Sequence, residues 1–217
     1  MVVRVNMRFT STSRAESRED GNRNSPYLGL IYSVFQLPRD AANGVVIAVT
    51  APNRGAGTSF IVNSLAAELG SYPANRILRV DLFTLANTLR PGEDVLQMAV
   101  PSLHPGIFQI RSRVEVADVD SSAYWHASAQ HRRECIERLR SRFQYVLLDC
   151  PAVLTSSDVL GVASLVDGVL LVVEANRTTS NEVSQAEREI EVAGGRLCGS
   201  ILNKRKSPLP NWAQRRL

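Results

Sequence analysis

The chain has 217 residues, enough for one domain with tails. At 44% hydrophobic and 21% charged, its composition excludes a largely disordered or fibrous protein and allows a sizeable core. Its 25 Lys and Arg against 21 Asp and Glu leave a net charge of +4, too small a surplus to mark a nucleic-acid binder, and none is expected.

Residues 1–25 are rich in Ser, Arg and Asn without apolar periodicity, which predicts a disordered N-terminal tail. The opening MVVRVNMRFTSTSR holds no apolar stretch of signal-peptide length, and no segment approaches the ~20 apolar residues that span a bilayer. A cytoplasmic protein is expected, attached to the inner membrane, if at all, through a partner. Over 26–40, Tyr27, Leu30, Ile31, Val34 and Phe35 recur at helical spacing and predict a short helix packing on the domain. Pro38 and the Asn43–Gly44 pair end it.

Val45–Val49 is short, β-branched and continuous, the pattern of a strand buried on both faces. A Gly-rich turn leads into a helix over Ser59–Leu69, with Ile61, Val62, Leu65, Ala66 and Leu69 on one face and Gly70 as its stop. Ile77–Leu82 is a second strand. Residues 83–130 carry little pattern beyond a candidate strand at Ile107–Ile110. Arg132–Arg142 is a charged helix turning Ile136 and Leu139 inward. Val146–Leu148, Val169–Val173 and Gly199–Leu202 are further buried strands, with a helix over Glu182–Val192 that ends at Gly194–Gly195. Strands alternating with helices predict a three-layer, doubly wound α/β domain over 43–206 with a mostly parallel sheet. Beyond it, 207–217 forms a basic C-terminal tail. Lys204, Arg205, Lys206, Arg215 and Arg216 give this end a charge suited to solvent, or to an acidic partner or anionic surface.

Cys135, Cys150 and Cys198 are widely spaced and odd in number, so neither a disulfide framework nor a metal cluster is expected. Cys150 and Cys198 read as small core residues. His104, His126 and His131 have no metal-ligand spacing.

The strand–turn–helix at 45–69 is the context of a phosphate-binding loop. Its turn runs Ala51-Pro52-Asn53-Arg54-Gly55-Ala56-Gly57-Thr58-Ser59. Gly55 and Gly57 let backbone N–H groups form a concave nest for phosphate oxygens, and the helix N-terminus adds partial positive charge. Ser59 stands where a Mg²⁺-binding hydroxyl belongs. The residue after the last glycine, ordinarily lysine, is Thr58, which offers one hydrogen bond and no charge. Arg54 could swing over part of the lysine's role, with a larger fork. A ligand-free Gly-rich turn is the competing reading. Two carboxylates count against it. Asp81 ends the second strand, and Asp149 ends the run Tyr145-Val-Leu-Leu-Asp149, the Walker B arrangement of an acid delivered beside the phosphate loop. Asp158, after Thr155-Ser156-Ser157, reads as a helix cap.

The run FQYVLLDCPAVLTSSDVLGVASLVDGVLLVVEANRTT, followed by GSILNKRK, resembles the cytoplasmic domain of bacterial tyrosine kinases (BY-kinases) of capsular and exopolysaccharide systems, within the MinD/ParA-like P-loop NTPases. The resemblance spans residues 43–206 and is strongest over 143–204. It implies ATP with Mg²⁺ bound at a subunit interface of a homodimer or higher oligomer. Residues 54–59 would cradle the phosphates, with Thr58 beneath them and Ser59 and Asp149 at the metal. Asp81 would orient or activate the nucleophile, and Asn203 would contact the adenine base. A membrane-bound polysaccharide chain-length or export protein is the implied partner.

The departures matter as much. Phe83 and Leu85 occupy the positions of the family's second Walker A′ acid and following arginine. The upstream oligomerisation motif is not visible in residues 25–35. The last tyrosine is Tyr145, inside a predicted core strand. A Gly-Thr-Ser/Thr loop does occur in some MinD-like proteins of cellulose secretion and pilus assembly, so this substitution need not abolish nucleotide binding. Tyrosine phosphorylation is not expected, because phosphoryl transfer depends on positioned positive groups. The expected function is that of a nucleotide-binding accessory protein of exopolysaccharide biosynthesis or export. A MinD-like ATPase of localisation or secretion-complex assembly, with Arg54 replacing the lysine, and a nucleotide-free scaffold are the alternatives.

Overall fold

The β-branched runs assemble side by side into one sheet. The computed structural model describes residues 3–5, 28–35, 43–72, 74–88, 95–110 and 129–205. Its strands are β1 (Val3–Val5), β2 (Val45–Thr50), β3 (Ile77–Asp81), β4 (Ala99–Pro101), β5 (Ile107–Ile110), β6 (Tyr145–Asp149), β7 (Gly168–Glu174) and β8 (Leu197–Asn203). The helices are α1 (Leu28–Phe35), α2 (Thr58–Gly70), α3 (Leu82–Thr88), α4 (Ala129–Arg142), α5 (Leu160–Ala163) and α6 (Ser180–Val192). The spatial order is β1-β8-β7-β2-β6-β3-β5-β4. All neighbours are parallel except β4 and β5, which the short loop at 102–106 joins as an antiparallel pair.

Alternation along the strands divides the core into two layers. Val46, Ala48, Leu78, Val80, Val146 and Leu148 face one side, where Leu82, Leu85, Ile136, Leu139, Val162 and Ile190 cover them. Val45, Ile47, Val49, Ile77, Leu147 and Leu170 face the other, under Leu30, Ile31 and Val34 of α1 and Ile61, Val62 and Leu65 of α2. All six residues of β2 are buried, as a central strand covered on both faces must be. Each large apolar side chain so buried contributes about 1.5–3 kcal/mol.

Three details differ from expectation. Val3–Val5 is not tail: it adds an edge strand, pairing with Gly199–Ile201. The remainder of 1–25 lies outside the described residues, as do 36–42 and 206–217. The second strand stops at Asp81, and Leu82 opens α3 instead of closing the strand. The region 83–130 contains α3, a 3₁₀ turn at Val95–Met98, and the β4–β5 pair, with 111–128 outside the described residues. Cys135 and Cys150 are buried and Cys198 is half-buried, all as free thiols. Burial pushes the Cys135 and Cys198 thiols up to about 12, so neither is a thiolate at neutral pH.

An ion pair not foreseen in the sequence pins the sheet to α4. Asp167, just before β7, accepts from the Val46 backbone N–H at 2.7 Å and from Arg140 Nη1 at 2.8 and 2.7 Å. Arg140 also donates to the carbonyls of Gly44 and Leu165. One carboxylate and one guanidinium thereby fix the entry of β2, the start of β7 and the end of α4, which sets the base from which the phosphate loop projects.

Candidate functional site

The site lies where β2, β3 and β6 deliver their C-terminal ends. In the β6 register Val49 and Asp81 both stand opposite Asp149, so the two acids are neighbours across adjacent strands. Asn53, Arg54, Gly55, Thr58, Ser59, Asp81, Phe83, Asp149 and Asp158 line a cleft of about 450 Å³ there. Of the site residues expected from sequence, Arg54, Gly55, Thr58, Ser59, Asp81 and Asp149 meet in this cleft.

The loop backbone is that of a nest. Gly55 and Gly57 have φ of +88° and +92°, which L side chains rarely adopt, and Gly57 caps α2 in the left-handed conformation. A Cβ at Gly57 would fall 2.4 Å from Asn203 Nδ2, so strain and space both require glycine. Three neighbours brace the loop. Asn53 Nδ2 donates to Glu182 Oε1 at 2.7 Å. Asn203 Nδ2 donates to the Ala56 carbonyl at 2.8 Å. Lys204 Nζ donates to the Gly55 carbonyl and pairs with Glu174 at 3.2 Å. Glu182 is itself set by a capping box with Thr179 at the start of α6; hydrogen bonds from the Thr179 backbone and hydroxyl, then from Asn53, hold its carboxyl below the usual range. Thr50, fully buried, donates from Oγ1 to the Pro151 carbonyl at 2.6 Å and ties β2 to the segment after β6.

Several residues stand elsewhere than the sequence implied. Asn203, which the resemblance puts at the adenine base, is buried behind the loop and is not among the residues lining the cleft; its amide donates to the Ala56 carbonyl. The Ala56 side chain is buried, within the loop whose backbone the sequence puts at the phosphates. Lys204 is not part of a solvated tail: a left-handed turn, φ +58°, folds it back onto Gly55. Asp158 does not cap a helix. α5 has Val159 at its N-cap and no side-chain cap, whereas Asp158 accepts from the Ser156 hydroxyl at 2.7 Å and faces the cleft. Asp81 does cap, receiving the Thr84 N–H at 2.7 Å at the start of α3, while it also lines the cleft.

The Asp149 carboxyl has a raised pKa at the floor of the cleft. Burial pushes its carboxyl above the usual range and the Asp81 charge adds to this; a Ser59 hydrogen bond and the Arg79 guanidinium pull the other way. Arg79 was missed in the sequence; its signal is a cation at the centre of an otherwise apolar strand, Ile-Leu-Arg-Val-Asp. Among the described residues no group of three His, Cys, Asp or Glu is arranged to hold a metal. The Ser59 hydroxyl and Asp149 carboxylate are the donor pair that fits Mg²⁺, an ion that keeps waters and takes its other ligands from phosphate oxygens. The nest, the α2 N-terminus and this hydroxyl–carboxylate pair fit a nucleotide's phosphates with Mg²⁺. A cation inside the nest is the missing part. Among the described residues Arg54 is the one cation that lines the cleft; Lys204 and Arg177 lie behind Gly55, gathered by Glu174.

No family profile matches the chain. The tyrosine-protein kinase CpsD of Streptococcus agalactiae is 36% identical over 69 residues, 32% of this chain and 30% of that protein. The tyrosine-protein kinase etk of Escherichia coli K12 is 25% identical over 173 residues, 73% of this chain and 23% of that protein. The succinoglycan biosynthesis transport protein ExoP of Rhizobium meliloti is 27% identical over 180 residues, 73% and 22%. The chain thus spans less than a third of the length of these relatives. Among solved structures, the kinase domain of Escherichia coli ETK superposes with a TM-score of 0.69 at 22% identity, covering 86% of this chain and 76% of that one. MinD of Pyrococcus horikoshii, solved with Mg-ADP, gives 0.60 at 17% identity, covering 80% and 76%. Both likenesses support the three-layer P-loop fold.

Proposed function

We propose that this chain, which shares the P-loop fold of the bacterial tyrosine kinases and MinD, is a nucleotide-gated accessory protein of exopolysaccharide biosynthesis or export. It binds Mg–ATP in the cleft, and the bound nucleotide controls its hold on a membrane-bound chain-length or export protein. The observation that carries this reading is the loop itself: nest, helix N-terminus, Ser59 and Asp149 are in place, and Thr58 stands where the phosphate-binding lysine belongs. Phosphoryl transfer draws its rate from positive charge aimed at the migrating group. Phe83, 54% exposed, and Leu85, buried in the α3 layer, supply none at the other side of the cleft. Binding without efficient tyrosine phosphorylation follows.

Arg54 favours a second reading, a MinD-like ATPase in which its guanidinium supplies the missing charge, because it lines the cleft. The relatives, tyrosine kinases and a succinoglycan biosynthesis transport protein, support the polysaccharide setting. Among the described residues no helix is long and apolar enough to cross a membrane. The test is co-purification of the full chain with a chain-length or export protein of its own organism, in Mg–ATP and in EDTA. Capture in Mg–ATP that is lost in EDTA is expected. Capture of equal strength in both would replace the gated protein by a nucleotide-indifferent scaffold.

A further inference from the structure

Beside the nucleotide cleft lies a second, smaller space that the phosphate chemistry does not use. A cavity of about 230 Å³ shares Ser59, Asp81 and Asp149 with the main cleft and runs back to Asn63, Arg79 and Gln109. Those last three also line an adjoining cavity of about 300 Å³ under α2, which reaches His104. The two acids stand at one end of the passage and the cation at the other.

Arg79 sits at the middle of β3, half-buried between α2 and β5. Its Nη1 donates to Asn63 Oδ1, and its Nη2 to Gln109 Oε1 at 3.3 Å. Both partners are neutral amides, and among the described residues no carboxylate lies within 4 Å of this guanidinium. Asp149 feels this guanidinium only at longer range, so Arg79 has no direct ion pair among the described residues to offset its partial burial. The guanidinium has five N–H donors, and these two bonds leave at least three. With their oxygens turned to Arg79, Asn63 and Gln109 have their NH₂ groups left to donate, and no other side-chain bond of either amide occurs among the described residues. The cluster therefore offers donors, in the planar fork that matches an oxyanion.

We propose that Arg79, Asn63 and Gln109 form a second ligand subsite, which binds the carboxylate or phosphate head of a small anionic compound beside the nucleotide cleft. A space of about 230 Å³ is below the usual range of roughly 300–1,000 Å³ for whole drug-sized ligands. It takes a head group, and the adjoining cavity takes a short body. Asp81 and Asp149 repel an anion at the cleft end, which places the charged head at Arg79 and not over the metal pair. Cation binding at Ser59 and Asp149 relieves that repulsion, so the subsite is tighter when the cleft is loaded.

Heteronuclear NMR of the full chain, titrated separately with malonate and with inorganic phosphate at constant ionic strength, tests this. The first series omits nucleotide and Mg²⁺, so its result does not depend on whether the cleft binds ATP. Saturable shifts of Arg79 Nε–H and of the Asn63 and Gln109 side-chain amides are expected. Arg79→Gln should weaken the response at least about tenfold. Arg79→Lys, which keeps the charge without the fork, should fall between, and the tighter probe names the head group. No saturable shift with either anion, or a response unchanged in Arg79→Gln, overturns the proposal.

Discussion

Thr58→Lys is expected to raise Mg–ATP affinity about tenfold and ATP turnover about a hundredfold. Thr58 is the first residue of α2, directly after the left-handed Gly57, and it faces the cleft. Its hydroxyl can give one hydrogen bond. An ammonium there gives three, with a full charge, at the point where charge builds as a phosphoryl group moves. The fold should accept the change, since lysine is a better helix former than threonine, although a cation in the first turn opposes the helix dipole by a few tenths of a kcal/mol. Phosphate release and calorimetry on the paired proteins measure both effects. Rates and affinities equal to those of the parent would mean that Arg54 already supplies the charge, which is the ATPase reading.

Asp149→Asn should weaken Mg–nucleotide binding by about a hundredfold or more and yet make the ligand-free protein more stable at neutral pH. The first effect follows from removing the only charged partner of the Ser59 pair. The second follows from the raised carboxyl: burial, aided by Asp81, makes the folded chain hold that proton more tightly than the unfolded chain does. Folding stability therefore falls as pH rises from the ordinary carboxylate range through the raised value, and at neutral pH the ionised Asp149 is a net cost. Asparagine removes the charge while its Oδ1 still accepts from Ser59. Urea unfolding at neutral pH should show the variant ahead, and the advantage should vanish in acid, where Asp149 is protonated folded or unfolded. A variant less stable than the parent at neutral pH would contradict this account of the site.

The centre of the fold and half of the site were legible because their signals are local. Val45–Val49 and Val169–Val173 are continuous apolar runs rich in valine, as a strand covered on both faces requires, and both lie in the inner part of the sheet. The nest declared itself through Gly55 and Gly57, and the strand-end acids through the apolar runs before them. What escaped depends on partners distant in the chain. β1 is three residues with an arginine between two valines, and only β8 makes it a strand. Lys204 looked like the first charge of a tail until the left-handed turn after β8 returned it to Gly55. Asn203 carries a binding role by resemblance, and nothing in the sequence shows that its amide also donates to the Ala56 carbonyl. Arg79 was hidden by averaging: one charge among Ile77, Leu78 and Val80 does not disturb a strand pattern, and only its register opposite Gln109 shows what it faces.

The proposed function rests on the cleft binding a nucleotide without its lysine. Calorimetric titration of the purified full chain with Mg–ADP and with a non-hydrolysable Mg–ATP analogue measures that directly. One saturable site is predicted, abolished by EDTA and by Asp149→Ala. No binding heat up to roughly millimolar nucleotide, weaker than about −4 kcal/mol, would contradict the account and leave a P-loop fold kept as a scaffold without its ligand.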